Sequence, residues 1–255
     1  MRSSIKISVW ALLFIVLGAC STTQVRTKDG QSLAEVHTQL GLEYMREGMY
    51  EASLDNFKKA LQADRKLPEA HTSIALLYER IGELALADTH YAKAYKLKPD
   101  DASLLNNYGQ FLCRLGRLDE ADAIFAKARQ DPLYRFPEMV LTNAGICKEK
   151  RPDMAAAEDL YRQALERNPR YEPALRQMAR ISFSQANYLA ARAYLQRLQE
   201  IARLPAEFLW IGVRAEYELG DQDAASSYAL LLKNRFPESK QAQALQEWER
   251  QRRER

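Results

Sequence analysis

The chain has 255 residues, room for one or two domains of ordinary size or one long repeat array. Its 47% hydrophobic and 28% charged residues exclude disorder of the whole chain. The formal charge is +3, and without Arg2 and Lys6 it is +1 (35 basic against 34 acidic residues), which excludes the concentrated basic surface that nucleic-acid binding needs. In chain order, Arg2 and Lys6 come first, then the apolar run Ile7 to Leu17, then Gly18, Ala19 and Cys20. Eleven apolar residues are about half of the ~20 needed to span a bilayer as a helix, so residues 1–19 read as an export signal.

Leu17-Gly18-Ala19-Cys20 resembles the lipobox of bacterial lipoproteins. That resemblance implies cleavage before Cys20, a diacylglycerol on its sulfur and an acylated amine. Several acyl chains hold a membrane stably where one does not. Ser21 in place of Asp implies, by the same resemblance, the periplasmic face of the outer membrane. The covalent lipid on Cys20 is the expected modification, and no other cofactor is expected. Residues 20–33 are polar and read as a flexible tether, reaching at most ~45 Å.

From residue 34 a period of 34 residues takes over. His37, His71 and Leu105 align, as do Gly48, Gly82 and Gly116, and Phe57, Tyr91 and Phe125. The period and the order small, aromatic, Gly, Ala, aromatic, Ala, Pro resemble the tetratricopeptide repeat. The expected fold is all-α: a right-handed superhelix of about six helix-turn-helix repeats, spanning 34–67, 68–101, 102–135, 138–171, 172–205 and 206–239. A capping helix follows over 240–255, where Trp248 can cover the open end of the core. Gly41, Ala75, Gly109, Gly145 and Ala179 are expected where the two helices of a repeat meet closely, with Val213 replacing the small residue in repeat six. Phe136 and Pro137 stretch one step to 36 residues, which should alter the stacking of repeats three and four.

No phosphate-binding glycine loop, His-Glu-x-x-His or Cys-x-x-Cys is present, and three histidines give no support for a catalytic triad. No catalytic residue, metal ligand or small-molecule substrate is expected. His37 and His71 share a repeat position, but neighbouring helices lie ~8–10 Å apart, and structural roles are favoured. Cys113 and Cys147 fall on the first helices of adjacent repeats. A disulfide needs Cα atoms within ~7 Å, and the residues alone leave a bridge and two buried thiols both open.

The first helix of each repeat should line the concave face, with positions 2, 5, 9, 12 and 13 pointing into it. This nominates Thr38, Leu42, Met45 and Arg46 from repeat one and Leu76 and Arg80 from repeat two, with Phe183, Trp210 and Tyr217 further along. Leu42, Met45 and Leu76 would form an apolar patch rimmed by charge, suited to a partly apolar peptide.

Beyond the repeat pattern, Asn106 to Cys113, Asp131 to Tyr134, Asn143 to Cys147, Ala191 to Arg197 and Leu209 to Arg214 resemble the PilF/PilW lipoproteins of type IV pilus biogenesis. That resemblance covers nearly the whole chain. It implies a pilotin, a lipoprotein that binds a secretin subunit, brings it to the outer membrane and promotes its multimeric ring. Both cysteine segments belong to it, which favours the bridge between Cys113 and Cys147. A periplasmic adaptor for cell-wall hydrolases, or a subunit of an outer-membrane insertion machine, would share the anchor and the repeats.

Overall fold

The computed structural model describes residues 32–151 and 153–254. The expected signal, the expected lipidation site Cys20 and the expected tether up to residue 31 lie outside the described residues. Among those described there are thirteen α-helices, paired as α1 (Leu33–Arg46) with α2 (Tyr50–Ala63), α3 (Pro68–Arg80) with α4 (Leu84–Leu97), and α5 (Ala102–Arg114) with α6 (Leu118–Ala128). The pairs continue with α7 (Pro137–Lys148) and α8 (Met154–Arg167), α9 (Glu172–Ser184) and α10 (Tyr188–Gln199), and α11 (Ala206–Glu218) and α12 (Gln222–Arg235); α13 (Lys240–Arg253) stands alone. No described helix is long and apolar enough to cross a membrane.

Local chemistry sets the helix ends. Ser32 and Glu35 form a reciprocal cap: the Ser32 hydroxyl accepts from the Glu35 N–H and the Glu35 carboxylate accepts from the Ser32 N–H. Asp101, Asp153, Asn187, Asp221 and Ser239 cap five later helices from one side only, each side chain accepting from a backbone N–H three residues on. In five of the six pairs the chain turns between the helices through a left-handed residue. Gly48, Gly82, Gly116 and Gly220 take it at φ 76–83°, and Ala186 takes it in repeat five at φ 58°.

A three-point rule holds each pair together. A small residue at position i lets helix A approach the ring or leucine at i+16 on helix B: Gly41 and Phe57, Ala75 and Tyr91, Gly109 and Phe125, Gly145 and Tyr161, Ala179 and Leu195, Gly212 and Tyr228. A Cβ on Gly109 would lie 2.8 Å from the Phe125 ring, closer than carbon atoms pack. Gly212, not Val213, therefore fills the small position of repeat six, and Val213 is simply buried beside it. The third point is i+4. Where the i+16 residue is tyrosine, i+4 is Glu79, Glu149 or Glu216; where it is phenylalanine or leucine, i+4 is Met45, Cys113 or Phe183. The Tyr91 and Tyr161 hydroxyls donate to Glu79 and Glu149, so a buried phenol meets an acceptor and a buried benzyl ring meets an apolar side chain.

The pairs stack into a tetratricopeptide superhelix. First helices pack on first helices along the inner face (α1 on α3, α5 on α7, α7 on α9, α9 on α11), while each second helix packs on its own partner and on the next first helix. The 36-residue step does not displace α7. The extra residues are taken up in the loop from Arg129 to Phe136, where Leu133 stands 90% exposed, and α6 is shortened. Across that step Asn143 Nδ2 donates to Asn106 Oδ1 at 2.9 Å. Cys113 and Cys147 are joined in a disulfide with Cα atoms 5.7 Å apart.

Candidate partner-binding groove

Stacked first helices leave a trough along the inner face, and in repeats one to three it deepens into a cleft of about 270 Å³. Its floor is Leu42, Leu76 and Leu104, one residue from each of α1, α3 and α5. Leu42 and Leu76 are half-buried against Phe57, Ile74 and Leu77, so their outer edges remain available. Thr72, Ser103 and Asn107 add neutral hydrogen-bonding groups. On the rim, the Lys98 ammonium bridges Glu69 at 3.1 Å and Asp101 at 2.7 Å. Hydrogen bonds to Asp101 and Glu69 raise the Lys98 pKa. With its charges satisfied, the cleft offers an apolar floor and neutral polar sides. It falls just short of the about 300–1,000 Å³ of small-molecule pockets and opens along the trough, a shape for side chains of an extended or helical segment.

The candidate groove residues separate into two sets. Leu42 and Leu76 line the cleft. Arg46 and Arg80 are exposed beside it; Arg46 pairs with Glu43, and Arg80 donates to the Met45 carbonyl at 3.2 Å. Thr38 and Met45 do not face the cleft. Thr38 is 6% exposed and its hydroxyl donates to the Ala34 carbonyl at 2.8 Å; Met45 is 8% exposed, against Phe57, Ile74 and Leu77. The physical reason is lateral packing. Thr38 and Met45 meet the neighbouring repeat, and Asn106 and Thr142, at position 5 of later repeats, are buried like Thr38, whereas Thr72 at position 5 of repeat two reaches the cleft. Sequence reading missed Asn107, Leu104 and the Lys98 bridge, because the first two enter the cleft from repeat three and Lys98 from the end of the second helix of repeat two.

The far end of the inner face is covered by the chain itself. α13 occupies the place of a seventh first helix, packed on α11. Its Trp248 ring stands edge-on to Trp210 and Tyr217, with centroids 6.0 and 4.9 Å apart, and the Arg252 guanidinium lies 4.0 Å over Tyr217. Trp210 and Tyr217 are thus held by the cap rather than presented to a partner.

The histidines do not pair as the repeat alignment suggests. His37 Nδ1 lies 3.2 Å from Asn56 Oδ1, whereas His71 Nδ1 lies 3.1 Å from His90 Nδ1 within repeat two. His71 Nε2 faces the Arg65 carbonyl at 3.3 Å and must carry a proton there, since a carbonyl only accepts. The neutral His71 Nδ1 then accepts from His90 Nδ1–H. Burial, then the nearby His71 and Lys93, lowers the His90 pKa to about 4. Among the described residues no group of three or more His, Cys, Asp or Glu could hold a metal ion.

Comparison with known proteins places these features. Profiles described as TPR repeat and tetratricopeptide repeat match residues 41–82, 68–101 and 90–123. The chain is 30% identical over 240 residues to the type IV pilus assembly protein PilF of Pseudomonas aeruginosa, covering 92% of this chain and 95% of that protein. The solved structure from the functional characterisation of P. aeruginosa PilF superposes with a TM-score of 0.77 at 31% identity, over 84% of this chain and 96% of that one. The crystal structure of PilW, described as a widely conserved type IV pilus biogenesis factor, gives 0.75 at 32% identity, over 84% and 99%.

Proposed function

Because the chain belongs to the PilF/PilW family of tetratricopeptide-repeat proteins of type IV pilus biogenesis, we propose that it is an outer-membrane pilotin that holds a secretin subunit in the inner cleft of repeats one to three. The observation that carries this reading is the floor of Leu42, Leu76 and Leu104, half-open between first helices, with neutral polar groups at its sides and the charges of Lys98, Glu69 and Asp101 paired on its rim. A surface of that kind binds a polypeptide through a few apolar anchors; it does not make or break bonds. The lipobox-like Cys20 supplies the second half of the reading. A lipid there carries the bound subunit to the membrane, and subunits confined to the membrane plane reach a high effective concentration for ring assembly.

The test has two arms. Residues 21–255 should retain purified secretin fragments that contain a partly apolar segment, and replacing Leu42 and Leu76 by Asp should weaken that capture at least tenfold with helical content unchanged; undiminished capture would remove the cleft as the binding site. In cells, Cys20→Ala should preserve secretin affinity yet leave the ring outside the outer membrane, whereas correctly placed rings would refute the carrier role.

A further inference from the structure

On the outer face a second cleft, of about 650 Å³, opens between the C-terminal halves of α2 and α4. Leu61 and Leu97 form its apolar wall, and Lys58, Arg65, Lys93 and Lys96 surround it. All four cations are exposed, and among the described residues none has a carboxylate oxygen within the 4.0 Å of an ion pair. Several other cations of the superhelix do meet a carboxylate. Lys127 near the end of α6 meets Asp100, Lys148 meets Asp122, Arg151 meets Asp119, and Lys233 near the end of α12 meets Glu249. Helix C-termini favour positive charge, but the dipole of a helix end does not account for four cations gathered about one apolar wall without a counter-ion.

The topology says where this cleft faces. In an antiparallel helix pair the start of the first helix and the end of the second share an edge. The described chain enters the fold at Ser32, the cap of α1, on the same edge as the ends of α2 and α4. The bond between His37 and Asn56 ties α1 to the middle of α2. A chain tethered to a membrane from residues ahead of Ser32 would therefore hold this edge toward the lipid surface, with a span of at most ~45 Å. This step rests on the anchored reading above.

We propose that the outer cleft between α2 and α4 docks on anionic phospholipid at the membrane surface, the four cations meeting headgroup phosphates and Leu61 and Leu97 meeting the apolar region just beneath. Lysine and arginine suit both layers, since their stems lie along apolar surface while their heads reach phosphate. Docking would fix the orientation of the superhelix and keep the inner cleft clear of the bilayer for its partner.

The experiment leaves the anchor out. Residues 21–255 contain all thirteen described helices and both core clusters, and are co-sedimented with vesicles of phosphatidylcholine alone or with about one third phosphatidylglycerol. A cation near an anionic surface contributes roughly fivefold to partitioning. Binding should therefore be at least tenfold stronger on the anionic vesicles, fall with salt, and drop at least tenfold in Lys93→Glu with Lys96→Glu. The control reverses Arg250 and Arg253 to Glu in α13, at the other end of the molecule, and should change binding less than twofold. Equal binding to both vesicles, or equal loss in both double variants, would overturn the proposal. So would capture of an acidic polyglutamate peptide by the cleft with no vesicle binding, which would make the occupant a protein. An unmodified Cys20 in cells would sink the anchored reading without touching the vesicle result, so the two failures are distinguishable.

Discussion

Three of the six pairs place a carboxylate at the end of the first helix and a tyrosine on the second, and in two of them the phenol donates to the carboxylate, while Glu216 is held by Arg192 instead. Glu149 and Tyr161 are the simplest case: the phenol donates to the carboxylate, and Glu149 has no ion-pair partner among the described residues. Burial and that hydrogen bond push the tyrosine well above its usual range, so it stays a donor at any workable pH. Tyr161→Phe should cost about 1–2 kcal/mol, because the hydrogen bond is lost and a half-buried carboxylate is left facing an apolar ring. Adding Glu149→Met recreates the combination that Met45 and Phe57 already use, and should recover most of the loss. Urea denaturation of the four proteins measures it: a coupling of at least about 1 kcal/mol is expected, and additive effects would refute the pairing. The histidine pair works the opposite way with acid. His90 titrates near 4 in the folded chain against 6.5 when free, so between those values the unfolded chain binds a proton that the folded chain refuses. The stability it contributes is complete above pH 6.5 and is lost as the pH falls toward 4. The site is partly open to solvent, which reduces the effect to about 1–2 kcal/mol. His90→Gln should flatten the pH dependence of the urea midpoint over that range, and an unchanged slope would show that the pair is not its source.

At the scale of helices, the point of interest is the step between repeats three and four. There the loop from Arg129 to Phe136 is longer than elsewhere, and the disulfide from Cys113 to Cys147 joins α5 directly to α7 across it. A cross-link with a separation of 34 residues is worth about 2–4 kcal/mol, chiefly by limiting the unfolded chain. Replacing both cysteines by Ser should lower stability by that amount and abolish the effect of reductant on the urea midpoint; equal midpoints for parent and variant under oxidising conditions would mean the bridge does not hold this joint. The helices themselves were legible from sequence because period, glycine turns and caps are local. Leu42 and Leu76 were legible for the same reason, since position 9 of a first helix faces inward whatever lies beside it. Thr38 and Met45 were not, because their burial depends on how the next repeat leans against them. Gly212 was missed because it and Tyr228 come one residue early in repeat six, which their spacing of 16 reveals and the 34-residue grid does not. The partnership of His71 with His90 joins the two helices of one repeat, and alignment between repeats cannot display it.

For the whole molecule, a stacked array touches only its nearest neighbours, so its ends decide how it unravels. The N-terminal end is closed by the Ser32 and Glu35 cap and carries the proposed binding cleft. The C-terminal end is closed by α13, which buries Ala242 and Leu245 and lays Trp248 against Trp210 and Tyr217. Its polar outer side, with Arg250 and Arg253, is what a solenoid end requires if it is not to recruit another copy. A chain ending at Ser239 loses the burial of Leu245 and of much of Trp248, about 3–5 kcal/mol at the usual value per side chain. Because the coupling is between neighbours, that loss should appear first in α11 and α12 and fade toward α8, leaving α1 to α5 and the inner cleft unaffected. Hydrogen exchange should show protection falling in α11 and α12 by two or more orders of magnitude, with α3 and α5 unchanged and secretin-fragment capture retained. A uniform loss of protection across all helices would mean that the array folds as one cooperative block, and that the end cap is as much a part of the binding site as the cleft itself.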